Sequence, residues 1–266
     1  MLPGIQESTP GLSSPAPQRK LWIYTNFDCN LRCSYCCAAS SPRAARRALE
    51  LETVGKLVDE ALALGFDALF FTGGEPFLLE GIYDMLAYSS QRVQTTVLTN
   101  AMLLRGKRLD KLGAIQNERL HLQVSLDGGC PEHHDPYRGA GSWVRTVEGI
   151  RNLQGRGHRV RLATTQTPAN SAHLSELCQF HRELDIPEED HFVRPMAKRG
   201  FSSTGLEVGK STLAPEVTIT LDGVYWHPLS TDPDMRVSAR VFPLSEALCR
   251  VQAELEASQS TLKPFT

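Results

Sequence analysis

Six short apolar runs in this chain alternate with five longer amphipathic stretches. Residues 21–26, 68–72, 95–99, 120–126, 159–165 and 191–194 read as strands. Between them, 51–64, 78–90, 103–115, 143–154 and 172–184 carry apolar residues at helical spacing. The first of these has Leu51, Val54, Leu57, Val58, Ala61 and Leu62 on one face and stops at Gly65. Strand–helix repetition predicts an α/β fold with a parallel sheet and right-handed crossovers. No dinucleotide-binding glycines follow the first strand, so six units point to a partial (β/α)6 TIM-like barrel. The 266 residues suffice for one, since a complete eight-unit barrel uses roughly 250. After Arg194 the rhythm breaks. Residues 196–210 are loop-like, 217–227 form a hairpin with a type I′ turn at Asp222-Gly223, and 244–257 form a terminal helix. Three segments are expected: a flexible tail (1–19) rich in Pro, Ser and Gly, a barrel (20–196), and a small hairpin-plus-helix extension (197–266) too short for a large core of its own.

Composition excludes some functions. Lys and Arg total 28 against 30 Asp and Glu, a net charge of -2, which excludes nucleic-acid binding by bulk positive charge. No apolar run nears the ~20 residues of a membrane span. The N-terminus has no apolar signal-peptide core. A cytoplasmic protein with neither nucleic-acid nor membrane partner is expected. Of seven cysteines, Cys29, Cys33, Cys36 and Cys37 fall within nine residues. Cys130, Cys178 and Cys249 are scattered and read as incidental thiols. A disulfide scaffold would be short and secreted, so a reduced metal site fits better.

Barrel chemistry sits at the C-terminal ends of the strands, and here every strand runs into polar residues. The first leads into the loop with Cys29, Cys33, Tyr35 and Cys36. The second ends at Thr72-Gly73-Gly74-Glu75-Pro76, the third at Thr99-Asn100, and the fourth at Ser125-Leu126-Asp127-Gly128. The fifth reaches Thr165 and Asn170, and the sixth Arg194-Pro195. Six such ends on one face describe a polar pocket. Three thiolates on one loop can hold three irons of a [4Fe–4S] cluster and leave the fourth open, whereas a full protein shell uses four cysteines. Structural zinc also wants four tight ligands; no His lies near the loop, and Cys37 beside Cys36 is poorly placed for the same metal. Asp127 could cap the next helix, and Asn170 reads as the N-cap of the one after.

The Cys29-x3-Cys33-x2-Cys36 spacing, with aromatic Tyr35 before the last cysteine, resembles the radical S-adenosylmethionine (SAM) superfamily. Gly73-Gly74-Glu75-Pro76 looks like its GGEP motif. Thr99-Asn100 matches its Thr-Asn-Gly element, with Ala101 in place of glycine. Ser125 to Gly128, followed by His134-Asp135 and Arg138-Gly139, resembles the branch with a SPASM or twitch extension. The resemblance covers about residues 21–195 and implies one [4Fe–4S] cluster on Cys29, Cys33 and Cys36. It implies that Tyr35, Gly73, Gly74, Glu75, Pro76, Thr99, Asn100, Ser125, Asp127 and Arg138 bind SAM. Glu75 would accept from the methionine ammonium, Ser125 and Asp127 would lie near the ribose, and Arg138 near the carboxylate. The glycines are expected to let the backbone approach a ligand.

The implied activity is reductive cleavage of SAM and hydrogen abstraction from a substrate by the 5′-deoxyadenosyl radical. A flavodoxin- or ferredoxin-type donor would supply the electron, and a peptide or small metabolite would be the substrate. The extension keeps the hairpin in which such proteins place an auxiliary-cluster cysteine. Trp226 and His227 occupy that neighbourhood, and only Cys249 lies downstream. A degenerate extension without a second cluster follows, and with it weight for redox-neutral chemistry such as epimerisation or rearrangement. The alternative is an iron–sulfur binding or sensor protein without turnover. His133-His134 could be a metal pair or a loop contact near the pocket mouth. Arg43, Arg46 and Arg47 form a solvated basic face or meet an anionic substrate.

Overall fold

The computed structural model describes residues 19–210 and 212–260. The expected tail, Arg19 excepted, lies outside the described residues.

Five strand–helix units follow in order: β1 (Lys20–Tyr24), α1 (Leu51–Ala63), β2 (Ala68–Thr72), α2 (Ile82–Ser90), β3 (Gln94–Thr99), α3 (Lys107–Gly113), β4 (Leu120–Ser125), α4 (Pro131–Arg138), α5 (Ser142–Gly155), β5 (Val160–Gln166), α6 (Leu174–Glu183) and then β6 (His191–Pro195). The remaining elements are β7 (Thr218–Thr220), β8 (Gly223–Tyr225), β9 (Arg236–Ser238) and α7 (Leu244–Ser260). The nine strands among the described residues form one sheet in the order β6-β5-β4-β3-β2-β1-β7-β8-β9. Every neighbouring pair from β6 to β7 is parallel. The sequential parallel run β1–β6 is the expected partial barrel, left open because β6 pairs with β5 alone.

Period-two alternation sorts the strand residues between two environments. On β1, Leu21 and Ile23 are fully buried among the helices, while Lys20, Trp22 and Tyr24 line the barrel interior. Leu69, Phe71, Val97, Leu122 and Leu162 continue the helix-facing layer, against Val54, Leu57 and Val58 of α1, Leu86 of α2, and Ile150 and Leu153 of α5. Each such side chain contributes about 1.5–3 kcal/mol on burial. Leu51, read onto the apolar face of α1, is 43% exposed because it opens the helix.

Three expectations need correction. A helix at 131–138 went unread; Pro131 opens it, and it carries both His134 and Arg138. Asn170 does not cap α6, whose N-cap is His173. The hairpin turn is Leu221-Asp222, because Thr220 pairs with Gly223. Neither turn residue has positive φ, so the turn is not type I′. Gly223 sits in β8 at φ +130, where a Cβ would lie 2.0 Å from the Ser238 carbonyl oxygen.

The extension joins the sheet through β7, which pairs with β1 at Trp22–Thr218 and Ile23–Ile219. Residues 196–201 fold back over the cysteine loop. The Phe201 amide donates to the Cys36 carbonyl (3.0 Å), the Ser230 hydroxyl to the Cys37 carbonyl (3.1 Å), and Arg32 stacks on Phe201 at 4.4 Å.

Candidate cofactor site at the strand ends

A cavity of ≈ 570 Å³ opens inside the barrel. Cys29, Cys33, Tyr35, Cys36, Gly73, Gly74, Glu75, Thr99, Asn100, Ser125 and Arg138 line it. The two other residues read as SAM contacts, Pro76 and Asp127, are not on its wall.

The cysteine loop and the Gly-Gly-Glu segment are built as one unit. The Gly74 amide donates to the Asn26 carbonyl and the Glu75 amide to the Asp28 carbonyl, both at 2.9 Å. The Asn26 side-chain amide donates to the Asp28 and Glu75 carbonyls at 3.0 and 3.1 Å. A Cβ on Gly73 would lie 2.5 Å from the Asn26 carbonyl oxygen, and one on Gly74 2.1 Å from that of Asp28. What presses on these glycines is thus the root of the chain's own cysteine loop, not only a ligand-sized space. Asn26, 2% exposed, was missed in the sequence. Its signal was a polar amide closing an apolar strand.

Glu75, 1% exposed, accepts from the Phe77 amide (3.1 Å), the Thr99 hydroxyl (2.7 Å) and the Asn100 amide (2.9 Å). It therefore caps the short turn 76–78 and ties the end of β2 to the end of β3. Burial raises its pKa, and those donors oppose the rise. With three donors placed, one acceptor position on Oε2 is left for a ligand.

Asp127 is fully buried and wholly engaged. One oxygen accepts from Tyr35 (2.5 Å) and from Arg138 Nε (2.7 Å), and the other from the Thr165 amide (2.9 Å). Its amide donates to His134 Nδ1 (3.1 Å), and its carbonyl accepts from Asn170 (2.7 Å). A carboxylate so placed fixes Tyr35 and Arg138, which line the cavity. Burial works against the Arg138 charge, yet Asp127 raises its pKa. Its Nη atoms have no partner among the described residues and are available to an anion. His134, fully buried on α4, lies off the cavity wall, as does His133. The basic run is solvated, and Arg47 pairs with Asp222 of the hairpin turn at 2.6 Å.

Burial raises the Cys29 and Cys33 thiols, Cys33 to about 11 with Arg138 pulling against the rise. The Cys29 thiol feels both Cys33 and Cys36, so the three form one electrostatic group. A bound cation favours their thiolate forms. The three sulfurs are nevertheless not all within 4.8 Å of one another. One tetrahedral ion with ~2.3 Å metal–sulfur bonds would need them about 3.8 Å apart. A cluster that gives each thiolate its own iron fits the wider spread. The extension adds Ala197, Leu206, Val208, Leu213, Glu216 and His227 to the cavity wall. None of these was legible as a site residue.

The fold, a parallel partial barrel with three cysteines and a Gly-Gly-Glu segment at its strand ends, defines a class of cofactor-dependent proteins. The family model of the radical SAM superfamily matches residues 23–175, and this chain belongs to that superfamily. Its cofactors are those of the superfamily, a [4Fe–4S] cluster and SAM. The chain is 30% identical over 171 residues to the AdoMet-dependent heme synthase of Methanosarcina barkeri, covering 64% of this chain and 48% of that protein. It is 29% identical to the PqqA peptide cyclase of Ruegeria pomeroyi, covering 69% and 49%. The chain thus spans about half the length of these relatives. The solved structure of native anSMEcpe with bound AdoMet superposes with a TM-score of 0.66 at 15% identity, covering 86% of this chain and 80% of that one. No helix among the described residues is long and apolar enough to cross a membrane.

Proposed function

We propose that this chain is a radical SAM enzyme with one cluster, held by Cys29, Cys33 and Cys36. The observation that carries this reading is the hydrogen-bonded union of the cysteine loop with Gly73-Gly74-Glu75 on one cavity wall. Held there by Cys29, Cys33 and Cys36, a [4Fe–4S] cluster with SAM would supply radical chemistry able to remove a hydrogen from a substrate carbon. The protein's own residues do the rest. Glu75 offers one acceptor position to an ammonium, and the Arg138 Nη atoms meet a carboxylate. Thr99, Asn100 and Ser125 line the space between. Asp127 and Pro76 act from behind the wall, Asp127 by fixing Tyr35 and Arg138. Ala197, Leu206, Val208, Leu213, Glu216 and His227 of the extension complete the wall and would limit the access of water.

The substrate is a peptide or a small metabolite, and the cyclase relative, whose name specifies a peptide, supports the former. With only Cys249 in the described part of the extension, and that residue exposed, no second cluster has ligands there. This supports redox-neutral chemistry such as epimerisation or rearrangement, fed by a flavodoxin- or ferredoxin-type donor. Anaerobic reconstitution should give about four irons per chain, and dithionite with SAM should yield 5′-deoxyadenosine. Cys33→Ala should abolish both while Cys249→Ala changes neither. Cluster without SAM cleavage under any reductant would favour a binding or sensor protein. Eight irons would overturn the single-cluster reading.

A further inference from the structure

Away from the cavity, the β4–α4 and β5–α6 connections bring four metal-binding side chains together. One ligand atom each from His133, His173 and Glu176 lie within 4.8 Å of one another. The rings of His133 and His173 stack at 3.9 Å. His173 Nδ1 and Glu176 Oε1 are 3.1 Å apart. Cys130 Sγ lies 3.4 Å from His133 Nδ1. The donors thus come as two pairs, Cys130-x2-His133 at the start of α4 and His173-x2-Glu176 at the start of α6. Imidazole, carboxylate and thiol are the donor set of zinc. Tetrahedral ligands ~2.0–2.1 Å from an ion stand about 3.3 Å apart. The His173–Glu176 pair is already near that spacing, and the His133 donor, within 4.8 Å of both, joins them once its ring turns out of the stack on His173. Both histidines and Cys130 are partly exposed and Glu176 is exposed, so the pairs meet at the surface between two helix starts.

We propose that His133, His173 and Glu176, with Cys130 beside them, form a mononuclear divalent-metal site of zinc type, separate from the cluster loop. Its position gives it a consequence. The β4–α4 side supplies His134 and Arg138 to Asp127, and the β5–α6 side supplies Thr165 and Asn170 to the same residue. A metal bridging these connections clamps the two arms that grip Asp127, and so steadies Arg138 at the cavity.

The test uses the reconstituted holoprotein, so that the cluster cysteines are filled. It is treated with a mild chelator, equilibrated with zinc chloride, freed of excess metal, and assayed for zinc and iron by mass spectrometry. We expect about one zinc per chain with iron unchanged, and a higher melting temperature with zinc than without. The double variant H133A/H173A should lose the zinc and the thermal shift while keeping its iron. Glu176→Ala, at an exposed position, should weaken zinc binding at least tenfold. No bound zinc in the wild-type protein, or the same zinc content in the double variant, would overturn the site.

Discussion

At the residue scale, two carboxylates identified from strand ends prove to differ in what they have left to offer. Asp127 spends both oxygens inside the protein, whereas Glu75 keeps one acceptor position. Glu75→Gln retains the shape but sets an amide N–H against a donor, which should cost about 1.5–3 kcal/mol of stability; Glu75→Ala should cost more because three donors lose their acceptor. If the remaining position serves the SAM ammonium, affinity should also fall by about 10- to 150-fold. Urea unfolding and equilibrium dialysis on the same Gln sample separate the two roles, and lowered stability with unchanged affinity would leave Glu75 a cap and fastener only. That Glu75 mattered was legible in Gly-Gly-Glu-Pro. That it fastens β2 to β3 was not, because Thr99 and Asn100 lie some 25 positions away.

At the element scale, β-strand identities were readable, because four- to seven-residue apolar runs between turn-forming breaks have few other uses. Helix starts were less so. The reading of 78–90 as helix loses its first turn to the segment 76–78 that Glu75 caps, and 103–115 starts late, after Gly106 at φ +52. Helix α4 escaped because its two prolines and paired histidines break the apolar period. The contact between the Gly73-Gly74 turn and the cysteine loop belongs to this scale. Gly74→Ala brings a Cβ to within 2.1 Å of the Asp28 carbonyl, so one of the two segments must shift. We expect reconstituted iron to fall to less than half, with circular dichroism near normal because the strands themselves are untouched. Full iron loading in this variant would mean that the loop can move away without losing its ligand geometry.

At the scale of the whole molecule, buried histidines set the response to acid. His181, 3% exposed and edge-on to His191 at 4.1 Å, has its pKa pushed down to about 3 by burial and by His191. His121 is pushed down to about 4, by burial and then by Arg161 and Arg159. Both are neutral when folded and take up a proton on unfolding below their ordinary value of about 6.5. Their contribution is therefore whole above that pH and is lost as pH falls towards 4 and 3, at up to about 1.4 kcal/mol per pH unit for each. Urea midpoints should drop between pH ~7 and ~5, and His181→Leu should make the drop shallower by about one proton's worth. An unchanged slope in that variant would remove His181 from the account.

The parallel barrel, the cysteine triad and the ring of polar strand ends are legible in the sequence, because each is written in local period, spacing or motif. What those residues touch is set by packing between distant segments. Gly73 and Gly74 are glycines because Asn26 and Asp28 press on them, and Asn170 serves Asp127 instead of a helix end. In the extension, read as an appendage, β7 continues the barrel's own sheet, and six residues between Ala197 and His227 help to line its cavity. Local pattern fixes which face of a strand is apolar; which edge a late strand joins depends on where an unpaired edge is left. The six-strand run leaves two open edges, β1 and β6, and β7 takes the one at β1.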